Sequence, residues 1–360
     1  MPSGADRPPV IVIGGGISGV ACARRLHAAG LPVRLLERGQ RLGGRLASRI
    51  EQVNGREHAV DIGAPYFTVR EPRFAKLVAG WEAAGLVRKW TDKFTLAGPE
   101  GRTGDAVGPQ RWSSTGGLRA VVEALAAGLE VRLQTEVTRV EYNNLGVPLV
   151  DGEPAAGVVL AMPDPQAARL LPTHLAERLG ISDRAWSPVL TVWAAWPQRW
   201  WQAFDGIFVA DSAVLSWMAD SGRSRDDGAA VLVAHTTPEF AERYAQGLAD
   251  PDAAIEPVLA ELRHVIGGPV PPPEWERVHR WSLASARQPH PEPFLLAGPI
   301  ENEPIENGPI ADGPITNGPI GNGPIGVCGD AWGPRSRIEQ AWSSGDGLAE
   351  VLINRLTVSF

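Results

Sequence analysis

Three glycines near the start of the chain have the spacing of a phosphate-binding loop. Gly14, Gly16 and Gly19 form the pattern G-x-G-x-x-G directly after the apolar run 10–13, which is typical of a buried parallel strand. Such glycines permit a tight turn, a close approach of the backbone to a pyrophosphate and close packing of a helix on the strand. On its own this pattern also fits an ordinary glycine-rich turn.

The residues that follow complete a nucleotide-binding unit. A helix is predicted from Ile17 to Ala29, with Gly30 at its end, and a second strand is predicted over 32–36. Glu37 comes next, 23 positions after Gly14, where an acidic side chain accepts hydrogen bonds from ribose hydroxyls. A strand, a helix N-terminus and an acid in this order predict dinucleotide binding.

Composition sets the class of protein in which this unit lies. The 360 residues suggest two domains, and 44% hydrophobic with 21% charged residues is typical of a globular protein. The net charge of −7 and the scattered basic residues argue against nucleic acid and anionic lipid as partners. The two cysteines are too few for a disulfide framework and indicate a cytoplasmic protein. The seven dispersed histidines do not have the spacing of a metal site.

No targeting or membrane segment is expected. The uncharged stretch 8–23 is short for a membrane span, is interrupted by glycines and lacks a basic flank.

Two further loops combine small residues with positive charge. The segment 41–45, Arg-Leu-Gly-Gly-Arg, follows Glu37 and carries two guanidinium groups that can each bind an anionic oxygen. The segment 61–67, Asp-Ile-Gly-Ala-Pro-Tyr-Phe, places small residues where backbone passes close to a flat group. A solvated loop and an ordinary turn are the plainer interpretations.

With these motifs the chain resembles the flavin-containing amine oxidase superfamily and, within it, the bacterial renalase-like branch. The matching segments are 14–19, 41–45 and 61–67, then Val-His-Arg-Trp at 278–281, Cys-Gly-Asp at 328–330, and 337–345. Pro65 stands where that branch has glutamine. The resemblance implies an α/β fold, with a Rossmann-type FAD-binding domain built on a parallel sheet, similar to the second glutathione reductase family. A mostly antiparallel α+β substrate domain is inserted into it.

The expected domain organisation is discontinuous. The FAD-binding domain is expected at 1–71, 112–164 and 326–360, the substrate domain at 72–111 and 165–297, and a loop at 298–325. That loop repeats Gly-Pro-Ile with a period of five, and its prolines exclude a helix or a central strand. We expect an extended surface loop away from the flavin.

The motifs and the resemblance together define the expected site. The residues expected to bind FAD are Gly14, Gly16, Ile17, Ser18, Gly19, Glu37, Arg38, Gly43, Gly44, Arg45, Gly63, Ala64, Pro65, Tyr66, Val137, Gly329, Asp330, Ile338, Glu339, Gln340 and Ala341. The resemblance places Val137 beside the adenine of FAD; the alternative is that Val137 is an ordinary core residue. Tyr66 and Trp281 are the candidates for the substrate face, and no catalytic residue is identified.

The C-terminal motif combines an acidic residue with the N-terminus of a predicted helix. Asp330 follows the short strand 326–329 and either holds a ribityl hydroxyl or is a solvated acid. A helix is predicted to begin between Ile338 and Gln340. Its positive end would face the flavin N1 and C2 carbonyl, where charge accumulates on reduction.

The centre of the chain carries weaker signals. Helices are predicted at 72–84, 118–125, 239–246 and 253–266, and strands at 131–137, 189–196, 207–210, 213–218 and 230–234. Six tryptophans cluster within 32 residues, at 186, 193, 196, 200, 201 and 217. They form either core or a pocket for a flat substrate.

The resulting hypothesis is an oxidase that binds FAD non-covalently, takes hydride from a small reduced substrate and passes electrons to O2, giving H2O2. Resemblance to renalases implies the 2- or 6-dihydro isomers of NAD(P) as donors, which need no general base. The chain has three lysines, Lys76, Lys89 and Lys93, and none lies near a flavin motif, so the lysine-bound water of polyamine oxidases lacks a counterpart. The alternatives are an amine oxidase or desaturase, a non-catalytic flavin-binding protein, and a flavin-dependent isomerase. Oligomeric state is left open.

Overall fold

The computed structural model describes residues 8–181, 184–245, 248–268, 271–298 and 323–357. The chain divides into two compact units. The terminal unit comprises 1–44, 123–185 and 288–360, and the inserted unit comprises 45–122 and 186–287. The domain boundaries expected from sequence differ from these ranges and remain a proposal about which segments carry which role.

The described residues form both strands and helices. In chain order they are β1 (Val10–Ile13), α1 (Ile17–Ala28), β2 (Val33–Leu36), β3 (Ser48–Val53), β4 (Arg56–Asp61), β5 (Phe67–Thr68), α2 (Pro72–Ala83), β6 (Arg88–Gly98), β7 (Gly101–Ser113), α3 (Leu118–Leu125), β8 (Glu130–Arg132), β9 (Val140–Tyr142), β10 (Pro148–Val150), β11 (Glu153–Pro154), β12 (Gly157–Leu160), α4 (Asp164–Leu170), α5 (Thr173–Arg178), β13 (Trp186–Ala195), β14 (Gly206–Val209), β15 (Leu215–Asp220), α6 (Ser221–Arg225), β16 (Val231–Thr236), α7 (Pro238–Glu242), α8 (Ile255–Ile266), β17 (Trp275–Ala286), β18 (Leu295–Ala297), β19 (Ile325–Val327) and α9 (Ile338–Thr357).

The terminal unit is built on a six-stranded sheet in the order β18-β19-β12-β1-β2-β8. All neighbouring strands are parallel except the edge pair β18–β19. The four residues of β1 are fully buried, as are those of β12, which explains their uninterrupted apolar sequences. Strand β2 lies on one side of β1 and β12 lies on the other. The strand order therefore reverses at β1, and parallel sheets bind ligands at such a topological switch point. The predicted parallel sheet and α/β class are confirmed.

Helices α1 and α9 pack against each other in the terminal unit because glycine allows a close approach. A Cβ atom on Gly345 of α9 would lie 1.9 Å from the carbonyl oxygen of Ser18 in α1. The N-terminal turn of α1 therefore contacts the middle of α9.

The inserted unit contains an eight-stranded sheet in the order β17-β13-β16-β15-β14-β6-β7-β5. Its pairs are antiparallel except β14–β6, so the expected mostly antiparallel unit is confirmed. One face packs on α7 and α8 through a large apolar core that includes Trp196 and Trp201. The tryptophan cluster is therefore mainly core: five of its six members are buried, and Trp200 is half-buried.

Three sequence-based expectations need correction. The strand expected at 131–137 ends at Arg132, because Gln134 has a positive φ of 52° and its N–H bonds to Gly39 instead of a neighbouring strand. The helix expected at 239–246 ends at Glu242. The α-helix expected from 253 begins at Ile255 after a 3₁₀ turn.

The period-five segment falls largely outside the residues that the structure describes. Its described end enters β19, the strand that precedes the C-terminal motif.

Candidate functional site

The glycine loop joins β1 to α1 at the carboxyl edge of the parallel sheet. A Cβ on Gly14 would lie 2.5 Å from the Ala161 carbonyl oxygen, and one on Gly19 would lie 2.0 Å from the Gly14 carbonyl oxygen. These two glycines are required by packing. Gly16 differs, because a Cβ there would meet nothing within 4 Å. Its backbone therefore faces open space, directly before the first turn of α1.

That first turn offers unpaired donors. Helix α1 begins at Ile17 with no side-chain cap and no acidic residue in its first turn. The first N–H groups of a helix have no acceptor within it and carry the positive end of the dipole. Ile17, Ser18 and Gly19 thus supply an anion-binding position beside Gly16.

Glu37 is held in place by two backbone groups. Its Oε2 accepts a hydrogen bond from Gly15 N at 2.7 Å, and its Oε1 accepts one from Gly39 N at 2.6 Å. Both bonds orient the half-buried carboxylate beside the glycine loop. Each oxygen has a second lone pair, so the group can still accept from ribose hydroxyls.

The Arg-Gly-Gly segment packs on the glycine loop. Gly43 N donates to Gly15 O at 2.9 Å, and a Cβ on Gly44 would lie 3.4 Å from Gly16 Cα. Both glycines have positive φ, 120° and 52°, conformations that L side chains rarely adopt. The Arg41 guanidinium forms a two-point ion pair with Glu123, and its binding of an anionic ligand oxygen stays a prediction.

The C-terminal motif lies at the same edge of the sheet. Strand β19 runs parallel to β12, and Gly329 and Asp330 follow it as Gly14 follows β1. A Cβ on Gly329 would meet nothing within 4 Å, and the buried Asp330 accepts a hydrogen bond from Ser336. Helix α9 begins at Ile338, as predicted.

One side chain in the first turn of α9 is anchored to the loop before the helix. Gln340 Nε2 donates to the Trp332 carbonyl at 2.7 Å, and the helical bond from Ala341 N to Arg337 O measures 2.9 Å. Glu339 is buried. The exposed Arg38 and the buried Val137 complete the expected residues of the terminal unit, whose roles toward FAD remain a proposal.

These observations fit a bound dinucleotide. Open space in front of Gly16 and Gly329, unpaired N–H groups in the first turn of α1 and a preoriented carboxylate at Glu37 match a pyrophosphate and a ribose. The residues that follow β1, β2 and β19 share one sheet edge although about 300 positions separate them.

The remaining expected FAD residues belong to the inserted unit and form one backbone cluster. Ala64 N donates to Arg45 O at 2.8 Å, and a Cβ on Gly63 would lie 2.0 Å from that oxygen. The Arg45 guanidinium donates to Ala284 O at 3.1 Å and lies over the Trp186 ring at 5.1 Å. Pro65 follows directly and lines a small cavity.

Tyr66 belongs to an aromatic cluster that the sequence did not reveal. Its ring centroid lies 5.4 Å from that of Phe94, 6.2 Å from Trp90 and 6.3 Å from Trp217. The Arg111 guanidinium lies 3.9 Å from the Phe94 centroid. Strands β6, β7 and β15 supply these neighbours, so only the sheet pairing brings them together.

Trp281 is fixed to the segment that precedes Tyr66. Its Nε1 donates to Ile62 O at 2.8 Å, and its ring stands edge-to-face on His279 at 4.4 Å. Burial, together with Arg49 and Arg280, lowers the pKa of His279. The two substrate-face candidates are therefore linked through residues 62–66.

Both cysteine thiols are held in the neutral form by burial. Cys22 and Cys328 are fully buried. Burial raises the pKa of Cys328 to about 12, opposed by its hydrogen bond with Ser18, and burial raises the pKa of Cys22 as well. Because the thiolate is the nucleophile, neither side chain is suited to a covalent bond with a cofactor.

Within the described residues, no helix combines the length and apolarity that crossing a membrane requires. The same part of the chain has no cluster of three or more His, Cys, Asp or Glu residues arranged around a metal position.

Fold and site define an α/β protein with a dinucleotide-binding edge. Residues 12–81 match the family model of the NAD(P)-binding Rossmann-like domain, and residues 91–353 match that of the flavin containing amine oxidoreductases. The second match covers well over half of the chain, so the chain belongs to the flavin-containing amine oxidoreductase family. The description of this family as flavin-containing oxidoreductases agrees with the predicted cofactor and enzyme class.

Individual relatives support this membership. (S)-6-hydroxynicotine oxidase from Paenarthrobacter nicotinovorans is 33% identical over 144 residues, which span 39% of this chain and 33% of that protein. The curated relatives are thus matched over a third of their length or less.

Solved structures share the whole fold at low sequence identity. Cyclohexylamine oxidase from Brevibacterium oxydans IH-35A has a TM-score of 0.71 and 16% identity, with 98% of this chain and 100% of that one covered. Putrescine oxidase bound to putrescine has a TM-score of 0.69 and 16% identity, with 97% and 99% covered.

Proposed function

We propose that the chain is an FAD-dependent oxidase of a small, flat, reduced substrate, with O2 as the acceptor and H2O2 as a product. Dihydropyridine isomers of NAD(P)H, carrying the hydride at position 2 or 6, are the proposed donors. The observation that carries the proposal is the aromatic cluster in which the half-buried Tyr66 and Trp90 pack on the buried rings of Phe94 and Trp217. The two half-buried rings suit a planar substrate by stacking.

The residues of the chain supply binding and electrostatics. The α1 N-terminus and the glycine loop would hold the FAD pyrophosphate, and Glu37 would hold the adenosine ribose. When bound, FAD would supply the acceptor for a hydride, which carries two electrons. Tyr66 and Trp281 would orient the donor ring, and no side chain needs to remove a proton from a dihydropyridine.

The lysines argue against the polyamine oxidase alternative. Lys76 is exposed on α2, Lys89 is exposed over the Trp112 ring, and Lys93 forms an exposed ion pair with Asp105. The three lysines of the chain are therefore at its surface, and none contacts the aromatic cluster.

Anaerobic reduction of the yellow holoprotein tests the proposal. The 2- and 6-dihydro isomers of NAD(P) should bleach the visible absorption band of the flavin faster than putrescine or cyclohexylamine, and admission of air should restore the band with formation of H2O2. Faster bleaching by an amine would establish the amine oxidase alternative instead. A holoprotein that no donor bleaches would be a flavin-binding protein without this activity.

A matched pair of variants tests the aromatic cluster. Tyr66→Ala should slow the limiting rate of bleaching by about tenfold or more, a loss of about 1.4 kcal/mol of transition-state stabilisation. Tyr244→Ala is the control, since Tyr244 is also half-buried in the inserted unit but packs on Phe240. Equal rates for the two variants would contradict a role for Tyr66.

A further inference from the structure

The buried guanidinium of Arg111 forms no ion pair with any carboxylate in the part of the chain that the structure describes. Arg111 lies on β7 and is 6% exposed. Its Nε and Nη1 atoms are buried without a hydrogen bond, and no carboxylate among the described residues forms an ion pair with it. Arginine is almost never buried in this way unless it is paired, because an isolated charge is costly to remove from water.

Two other unpaired donors stand around the same phenylalanine. Trp90 and Trp217 have ring centroids 5.2 Å and 6.2 Å from that of Phe94, and the indole Nε1 of each is buried without a partner. Arg111 lies 3.9 Å from the same centroid. We name Trp90, Arg111 and Trp217 the donor cluster; its side-chain nitrogens donate hydrogen bonds and accept none.

Tyr66 ties the donor cluster to the proposed substrate face. The Arg111 guanidinium lies 5.7 Å from the Tyr66 centroid, and β7 pairs Arg111 with Thr68, two residues after Tyr66. Trp90 and Trp217 also line a small cavity with Pro65.

We propose that the donor cluster binds an oxyanion of the reduced substrate, either a carboxylate or a phosphate. Arg111 is the specificity-determining residue. The inference rests on the proposed function and deepens it. A guanidinium forms two-point hydrogen bonds to either oxyanion. The same positive charge disfavours a simple ammonium substrate beside Arg111, and the carboxylate that lines the cavity, Asp61, is already paired with the buried Arg225.

Substrate binding to two variants tests the proposal. The apparent Kd for 6-dihydro-NAD, which carries a diphosphate, and for an N-methyl dihydronicotinamide, which carries none, is measured from anaerobic flavin bleaching. Arg111→Gln should raise the Kd of the charged donor by about ten- to a hundredfold, the usual effect of losing charge-assisted hydrogen bonds. It should change the Kd of the neutral donor less than twofold.

Arg102→Gln is the matched control. Arg102 lies on the same strand, over the Phe204 ring at 5.0 Å, and also has buried nitrogens without a hydrogen bond. Burial lowers its pKa, and the charge of Asp105 opposes this. Arg102→Gln should change neither Kd. Equal losses for the charged and neutral donors in Arg111→Gln would overturn the proposal.

A direct binding measurement separates this inference from the proposed function. Calorimetric titration of the oxidised holoprotein with pyrophosphate and with benzoate should detect a site in the wild type that Arg111→Gln abolishes and Arg111→Lys retains in part. Tighter pyrophosphate binding identifies a phosphate of the donor, and tighter benzoate binding identifies a carboxylate. Binding of neither anion overturns the inference, even if dihydropyridines bleach the flavin. Anion binding without bleaching by any donor leaves the site in place and rejects the proposed reaction.

Discussion

At the scale of single residues, the glycines of the first loop fall into two physical classes. Gly14 and Gly19 are needed because backbone of the same unit occupies the place of a side chain. Gly16 is not needed for packing, and its φ of −76° is open to any residue. A glycine without a packing reason, beside a helix N-terminus, points to a ligand that needs the space.

Alanine substitutions separate these classes. Gly16→Ala should leave the apoprotein within about 0.5 kcal/mol of wild-type stability and weaken FAD binding at least tenfold. Gly19→Ala should lower the free energy of unfolding by about 1–3 kcal/mol, because its Cβ would lie 2.0 Å from a carbonyl oxygen. Chemical denaturation of the apoprotein and titration with FAD provide both measurements.

Gly80→Ala in α2 is the control for the glycine pair, since a Cβ there has nothing within 4 Å and alanine favours a helix. Unchanged FAD binding in Gly16→Ala would contradict the assignment of the open space to the cofactor.

At the scale of elements, the contact between α1 and α9 positions the first turn of α1 relative to the segment at Gly329 and Asp330. Gly345 lies directly over Ser18, the second residue of α1, and α1 also ties to α9 through the ion pair of Arg25 with Asp346. The separation of the two helices thus determines where the donors of α1 lie relative to Gly329 and Asp330.

A single methyl group at this crossing tests the coupling. Gly345→Ala places a Cβ 1.9 Å from the Ser18 carbonyl oxygen, so the helices must separate, and we expect a loss of about 1–3 kcal/mol in stability with a parallel loss of FAD affinity. Gly347→Ala on the same helix is the control, because its Cβ would meet the Phe294 side chain, at 3.1 Å, and not the backbone of α1. Thermal unfolding with and without FAD reports both effects. Retained FAD affinity in Gly345→Ala would show that the crossing does not position the site.

Element-scale patterns also explain what the sequence could and could not predict. The terminal unit was predictable because its glycines, Glu37 and Asp330 each follow a short apolar strand, so local pattern implies sheet position. The long pair β6–β7 was not, since β7 lacks alternating apolar residues and the pairing shifts register three times. Arg111 and Trp90 lie on that pair, which is why the donor cluster left no signal in the sequence.

At the scale of the whole molecule, the two chain ends and the segment 123–185 build one compact unit, and the segments 45–122 and 186–287 build the other. This arrangement was readable because the motifs recur in family order from residue 14 to residue 345. The boundary between the two units could not be predicted from the sequence. It lies between residues 122 and 123, within α3, and the composition of a continuous helix does not change there. FAD-binding segments and compact units therefore need not coincide.

Global stability should depend on a histidine of the inserted unit. Burial lowers the pKa of His235 from 6.5 to about 4, and its Nε2 is buried without a hydrogen bond beside Trp217. Thr191 and Trp217 are its strand neighbours, and neither is charged. The folded protein therefore keeps this imidazole neutral at a pH where the unfolded chain has already protonated it.

The sign of the resulting pH dependence is fixed by proton binding. Between pH 6.5 and 4 the unfolded chain binds more protons at this position than the folded protein, so the free energy of unfolding falls as the pH falls. The contribution of His235 is fully present above pH 6.5, and about 3 kcal/mol is lost by pH 4. His235→Phe, which cannot be protonated, should lose less stability over that range in urea unfolding of the apoprotein. The exposed His27→Gln should follow the wild type. Parallel curves for wild type and His235→Phe would reject the role of His235, whereas a gap that opens below pH 6.5 would locate the acid sensitivity in the sheet that carries the donor cluster.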